Sequence, residues 1–113
     1  MLVYEVNLHV KDEAADAFSA WLREHIREML AIDGFERAVR HRVETDRPGA
    51  RTWCVHYYVT DRAHLNAYFE RHAAAMRADG LRRFGGKFTA DRRILDEVEA
   101  FKQRSGKSDG SPT

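Results

Sequence analysis

Apolar and polar residues alternate along the first ten positions, which is the pattern of a strand with one buried face. The apolar set is Tyr4, Val6, Leu8 and Val10, and the polar set between them is Glu5, Asn7 and His9. Over residues 12–32 the apolar spacing changes to three and four, which predicts a helix with Asp12 as its N-cap. Gly34 is the residue expected to end this helix.

The pattern continues with a second strand over residues 35–44 and a turn that contains Pro48 and Gly49. A third strand, over residues 52–60, is apolar on both faces, so it is expected near the centre of the sheet. Asp61 is the predicted N-cap of a second helix, which is expected to end at Gly80. Residues 87–95 form the last predicted strand.

Two helical stretches repeat each other 47 residues apart. Residues 21–29 read WLREHIREM and residues 68–76 read YFERHAAAM, and the same shift carries His9 onto His56. Two βαβ halves with right-handed crossovers give a ferredoxin-like α+β fold, βαββαβ. We expect a four-stranded antiparallel sheet of order 4-1-3-2 with two helices on one face. Residues 1–96 form this domain, and the polar residues 97–113 are expected to be a disordered tail.

Composition and charge narrow the classes of partner. The net charge of +1 leaves no excess of positive charge for a phosphate backbone, so no nucleic-acid partner is expected. The apolar runs are too short to span a membrane, and the N-terminus does not resemble a secretory signal. Cys54, the single cysteine, cannot form an internal disulfide and fits a reducing compartment. We therefore expect a cytoplasmic protein with no membrane partner.

Strand parity predicts which side chains point away from the helices, on what is called here the open face of the sheet. Its predicted members are Glu5, Asn7, His9, Ala38, Cys54, His56 and Tyr58. A face exposed to water normally carries Lys, Glu and Thr, so this composition indicates partial burial against another surface. Pairing of two chains through their sheets would supply that surface and enclose a space lined by polar groups.

Four segments carry a family resemblance: VYEVNLHV at the start, W-x3-H-x3-M in the first helix, Y-x3-H-x3-MR-x-DG in the second, and RFGGKF before the last strand. Through them the chain resembles the dimeric α+β barrel superfamily related to the antibiotic-biosynthesis monooxygenases, and within it a bacterial family of unknown function. The resemblance implies a homodimer paired through its sheets.

The resemblance also separates two kinds of enzyme. The haem-degrading members share an Asn on the first strand, here Asn7, but combine it with a Trp and a haem-binding His. This chain has Tyr68 in place of that Trp, and His72 at a different spacing, so no cofactor is expected. The cofactor-free monooxygenases use Asn, Trp, Tyr and Arg, and Asn7, Trp53, Tyr58 and Arg40 are residues of those types.

Four histidines are candidates for chemistry at neutral pH. His25 and His72 fall on the apolar stripes of their helices, where each is either a core histidine bonded to a backbone carbonyl or a general base lining a cavity. His9 and His56 lie on the open face with Tyr58, either as proton-transfer groups or as interface hydrogen bonds. No HxxxH pair, ExxH motif or cysteine cluster is present, so no metal site is predicted.

These observations define two hypotheses. The first is a homodimeric small-molecule-binding protein, a cofactor-free oxygenase or isomerase acting on an apolar or aromatic metabolite. The second is a non-catalytic dimeric module with a regulatory or stress-related role. A void of several hundred Å³ with polar groups favours the first hypothesis. The predicted ligand-binding residues are Asn7, His9, His25, Arg40, His56, Tyr58 and His72, and the candidates for catalysis are His25, His72 and Tyr58.

Overall fold

The computed structural model describes residues 1–45 and 47–104 and confirms the ferredoxin-like α+β fold. All strand pairs are antiparallel, and the order across the sheet is β2-β3-β1-β4, which is the predicted order. The elements are β1 (Leu2–Lys11), a 3-10 turn (Asp12–Ala14), α1 (Ala15–Met29), β2 (Phe35–Val43), β3 (Ala50–Val59), α2 (Arg62–Arg71), α3 (Ala73–Phe84) and β4 (Phe88–Asp96).

The core lies between the sheet and the helices. On β1 and β3 the residues that face the helices oppose each other as Tyr4 with Tyr57, Val6 with Val55, and Leu8 with Trp53. All of these except Trp53 are buried, and Phe18 and Leu22 of α1 cover them. The period-two pattern of β1 therefore fixes its register, because a slip of one residue would turn every apolar side chain to the wrong face.

The first helix begins later than predicted. Residues 12–14 form a 3-10 turn, and α1 starts at Ala15 without a side-chain hydrogen bond at its N-terminus, so Asp12 is not its N-cap. The helix also ends earlier than predicted, at Met29 with Leu30 as its C-cap, so Gly34 does not end it. Gly34 lies in the turn that follows, with φ of +87°, and its carbonyl accepts a hydrogen bond from the Thr60 amide at 2.9 Å. A Cβ on Gly34 would lie 2.4 Å from the side chain of His64, so both the backbone conformation and the packing require glycine there.

The second predicted helix is two helices. Asp61 caps α2 as predicted, because its Oδ1 accepts the His64 amide at 2.9 Å. The chain then bends at His72, whose φ and ψ of −126° and −30° are not helical, and α3 continues beyond Gly80 to Phe84. Gly80 therefore does not end a helix. Gly80 is buried inside α3, and a Cβ there would lie 2.9 Å from the ring of Trp21, so this close packing requires glycine.

A β-bulge reverses the faces of β2. Phe35 opposes Val59 and Arg37 opposes Tyr58, so two residues of β2 stand against one of β3 at Glu36. Beyond the bulge, Ala38 opposes the buried Tyr57 and faces the helices rather than the open face. The placement of Ala38 predicted from simple alternation is therefore wrong, and Val39 and His41 occupy the open face instead.

Residues 97–104 have no regular secondary structure, and Val98 and Phe101 are 92% and 82% exposed, so neither contributes to the core. The rest of the predicted tail, residues 105–113, lies outside the described residues. The division into residues 1–96 and a disordered tail stays a prediction. Among the described residues, no helix is long and apolar enough to cross a membrane.

Candidate functional site

A cavity of about 380 Å³ lies between the helices and the sheet, and it is called here the helix–sheet cavity. Its walls are largely apolar and aromatic: Val6, Leu8, Trp21, Leu22, Met29, Tyr57, Met76 and Phe88. The lining residues come from β1, β3 and β4 on the sheet side and from α1, α2 and α3 on the helix side. Its size is sufficient for a small aromatic molecule.

His25 is the polar group of α1 on the wall of this cavity. Its ring stacks on the Trp21 ring, with centroids 4.7 Å apart. Burial lowers the pKa of His25 below its usual value; the charge of Asp79 opposes the shift, and the charge of Arg92 adds to it. The imidazole is therefore neutral at pH 7 and able to accept a proton.

Three tyrosines line the cavity, Tyr4 and Tyr57 from the sheet and Tyr68 from α2. Tyr4 accepts a hydrogen bond from Arg77 Nη2 at 3.2 Å, and its ring centroid lies 5.7 Å from that of Tyr68. Burial is the main cause that raises the pKa values of Tyr57 and Tyr68 above their usual range. These phenols remain protonated at physiological pH, so they offer hydrogen-bond donors rather than negative charges.

Arg92 brings positive charge to the cavity from β4, where it opposes Val6 on the side of the sheet that faces the helices. Its guanidinium is exposed, yet its charge lowers the pKa values of His25, Tyr57 and Tyr68. Within residues 1–45 and 47–104, no side chain forms a hydrogen bond or an ion pair with this guanidinium. Arg92 therefore brings to the cavity a positive charge that no paired carboxylate in those ranges neutralises, although at His25 the negative charge of Asp79 has the larger effect.

A second polar group of residues lies on the open face, centred on Glu5, which is only 4% exposed. Its Oε1 accepts hydrogen bonds from Arg93 Nε at 2.7 Å and Asn7 Nδ2 at 3.0 Å, and its Oε2 lies 2.8 Å from His56 Nε2. The hydrogen bond from Arg93 is the largest cause that lowers the pKa of Glu5 to about 2. Glu5 is therefore ionised and fixed in position, although it is almost inaccessible to water.

The structure separates the predicted ligand-binding residues. Asn7, His9, His56 and Tyr58 lie on the open face, as strand parity predicted. His9 forms contacts there with Thr52 Oγ1 at 3.1 Å and Asp91 Oδ2 at 2.9 Å, and the Arg37 guanidinium lies 3.9 Å from the centre of the Tyr58 ring. Of the seven residues, only His25 lines the helix–sheet cavity. Their roles in binding or catalysis stay predictions.

Arg40 and His72 occupy positions that alternation did not predict. Arg40 faces the helices because of the bulge in β2, donates a hydrogen bond to the Ser19 carbonyl at 3.1 Å, and stacks on Trp53 at 4.2 Å. Arg40 and Trp53 are therefore separated by the sheet from Asn7 and Tyr58. His72 is exposed at the α2–α3 junction and does not lie on a buried stripe, so its predicted placement is wrong.

Arg77 and Arg92 are charged residues of the cavity wall that the sequence analysis did not name as site residues. Strand alternation could have predicted Arg92, because it lies between Ala90 and Ile94 on the apolar face of β4. No comparable signal existed for Arg77, whose contact with Tyr4 depends on the bend at His72.

Solved structures place this fold in a known class. A protein assigned as an antibiotic biosynthesis monooxygenase from Deinococcus radiodurans is 13% identical, with a TM-score of 0.70 over 93% of this chain and 100% of that one. SnoaB, a cofactor-independent oxygenase from Streptomyces nogalater, is 14% identical, with a TM-score of 0.64 over 90% and 98%. HapK from Hahella chejuensis is 16% identical, with a TM-score of 0.65 over 93% and 100%.

The protein thus has the ferredoxin-like fold of the antibiotic biosynthesis monooxygenases. No curated protein matches the chain. Over residues 1–98 it matches the family described as a domain of unknown function (DUF4286), and it belongs to that family. Both findings agree with the resemblance drawn from the sequence motifs.

Proposed function

We propose that this protein binds a small aromatic or apolar metabolite with one anionic group in the helix–sheet cavity. The observation that carries the proposal is the Arg92 guanidinium, which has no paired carboxylate in the described part of the chain and whose charge acts on three cavity side chains. An anionic ligand would pair with this cation, while aromatic walls bury the apolar part of the ligand.

His25 gives the cavity a group for proton transfer. As a neutral imidazole it can remove a proton from an acidic C–H or O–H group, and Arg92 stabilises the anion that forms. In an oxygenase reaction the carbanion would reduce O2, so that a CH2 group and O2 become a C=O group and water. In an isomerase reaction the proton would return to a different carbon. The likeness of the fold to SnoaB supports the oxygenase reaction.

The test uses two probes of the same shape, 2-naphthoate and the neutral 2-naphthamide, titrated calorimetrically into the purified full chain. We expect 2-naphthoate to bind at least tenfold more tightly, about 1.4 kcal/mol, because only the carboxylate pairs with Arg92. In Arg92→Leu this preference disappears. Equal affinities of the two probes for the natural chain would contradict the proposal.

Two histidine variants provide the matched comparison in the same titration. His25→Leu removes a polar group from the cavity wall and is expected to weaken 2-naphthoate binding at least tenfold, with the free energy of unfolding changed by less than about 1.5 kcal/mol. His72→Leu makes the same change at an exposed position outside the cavity and is expected to keep the natural affinity. If neither probe binds any of these chains, the non-catalytic module is the function to pursue.

We also propose that two chains pair through their open faces. Val39, Tyr58 and Leu95 are half-buried on this face of a single chain, beside the buried and ionised Glu5. Light scattering at micromolar concentration is expected to give twice the chain mass of 13.1 kDa. Val39→Asp places a charge in the centre of the interface and is expected to give a monomer, whereas Val98→Asp, outside the sheet, keeps the dimer. A monomeric natural chain would refute the pairing.

A further inference from the structure

The open face brings three different metal-binding side chains together across two strands. Glu5 of β1 opposes His56 of β3, and Cys54 lies two residues before His56 on the same face. One donor atom from each of the three lies within 4.8 Å of the other two. Cys54 and His56 are close in sequence but do not form a metal motif by themselves, and only the strand register adds Glu5 to them.

We propose that Glu5, Cys54 and His56 bind one Zn²⁺ ion on the open face. A carboxylate, an imidazole and a thiolate are the three ligand types that protein zinc sites use, with the ion about 2.0–2.3 Å from each donor. An ion between donors no more than 4.8 Å apart meets these distances after small side-chain shifts. His41 lies beside this cluster, because it opposes Cys54 on β2 and packs edge-on against His56, and a water molecule can complete the coordination.

The Glu5 carboxylate is already oriented for this role. Arg93 and Asn7 both donate to Oε1, which leaves Oε2, the oxygen beside His56 Nε2, directed into the cluster. In metal sites, the carboxylate oxygen that does not bind the ion usually accepts hydrogen bonds. These hydrogen bonds fix the orientation of the ligand and so reduce the entropy lost when the ion binds. Arg93 does not occupy the oxygen that would bind the ion.

Binding of the ion requires one proton to leave. Cys54 binds zinc as a thiolate, so its thiol must lose a proton when the ion binds. Zn²⁺ displaces this proton to the solvent and takes the thiolate as a ligand. The Glu5 and Cys54 charges then balance the two positive charges of the ion. All three ligands belong to one chain, so one ion per chain is expected whether or not two chains pair.

The test is a titration of metal-free full-length protein with Zn²⁺ in competition with a chromophoric chelator. We expect one ion per chain with a Kd below about 1 μM. Cys54→Ser and His56→Gln are each expected to weaken binding at least tenfold, and His72→Gln, an exposed histidine on the helical side, is expected to leave it unchanged. A melting curve followed by circular dichroism confirms that each variant is folded.

Cobalt provides a second measurement, which reports directly on the thiolate ligand. Co²⁺ bound to the natural chain is expected to show a thiolate-to-metal charge-transfer band in the near ultraviolet, and this band is absent from Cys54→Ser. Substoichiometric Zn²⁺ binding, an affinity unchanged by Cys54→Ser, or a Co²⁺ spectrum without the thiolate band would each overturn the proposal. The probe titration of the helix–sheet cavity is unaffected by any of these outcomes.

Discussion

Replacement of Phe18 by alanine is expected to lower the free energy of unfolding by about 3–5 kcal/mol. Phe18 is fully buried in α1, and its ring centroid lies 5.0 Å from that of Phe88, 5.1 Å from that of Phe84 and 5.3 Å from that of Trp21. Truncation removes the apolar contacts of the ring and leaves a cavity. The three aromatic neighbours belong to different elements, so they cannot all move inward to fill it.

Urea unfolding followed by tryptophan fluorescence measures this loss. The matched control is Phe101→Ala, because Phe101 is 82% exposed, and its truncation is expected to change stability by less than about 0.5 kcal/mol. A loss below about 1.5 kcal/mol for Phe18→Ala would mean that the aromatic cluster can repack. The packing that supports Trp21 at the cavity wall would then be less rigid than the contacts indicate.

The fold could be predicted from the sequence because its main signals are repeated and consistent. The alternation in β1 and the repeat 47 residues later, which carries His9 onto His56, specify two equivalent central strands. The apolar stripes of the helices then pack on the apolar face of the sheet, so that the two kinds of element agree on where the core lies. The strand order can be predicted from the order of the elements alone, because right-handed βαβ crossovers are compatible with few strand orders.

Local backbone events could not be predicted, and they determine the site. The bulge at Glu36 changes the face of every later residue in β2, so the same alternation that placed Asn7 correctly misplaced Ala38. The bend at His72 exposes that residue and turns α3 so that Arg77 reaches Tyr4. The bulge shifts the register of β2 by one residue and the bend changes the direction of the helix. Both leave hydrophobic periodicity almost unchanged but reassign side chains between two surfaces.

The combination of Glu5, Cys54 and His56 shows the same limit on the other face. Metal-binding motifs are recognised by spacing along the chain, and there Glu5 and His56 are far apart. In the sheet they are direct cross-strand neighbours with donor atoms 2.8 Å apart. Predicted parity had placed all three side chains on one face, but parity does not give the relative register of two strands, and register decides which of them touch.

Ala90→Phe is expected to abolish ligand binding in the helix–sheet cavity without unfolding the protein. Ala90 lines the cavity from the edge strand β4, opposite Leu8, and the phenyl ring added there would occupy space that a bound aromatic molecule needs. The affinity for 2-naphthoate should fall at least a hundredfold, about 2.8 kcal/mol. Because the ring enters a void rather than a filled core, and phenylalanine favours strands, stability should change by less than about 1 kcal/mol or rise.

Calorimetric titration and urea unfolding of the same preparation decide the outcome. Ala78→Phe adds an identical ring to an exposed position of α3 and is expected to bind 2-naphthoate as the natural chain does. Full binding by a stably folded Ala90→Phe variant would place the ligand elsewhere on the protein. A severely destabilised Ala90→Phe variant would show instead that the side chains around Ala90 have no free volume, and the cavity would then be too small to hold the proposed metabolite.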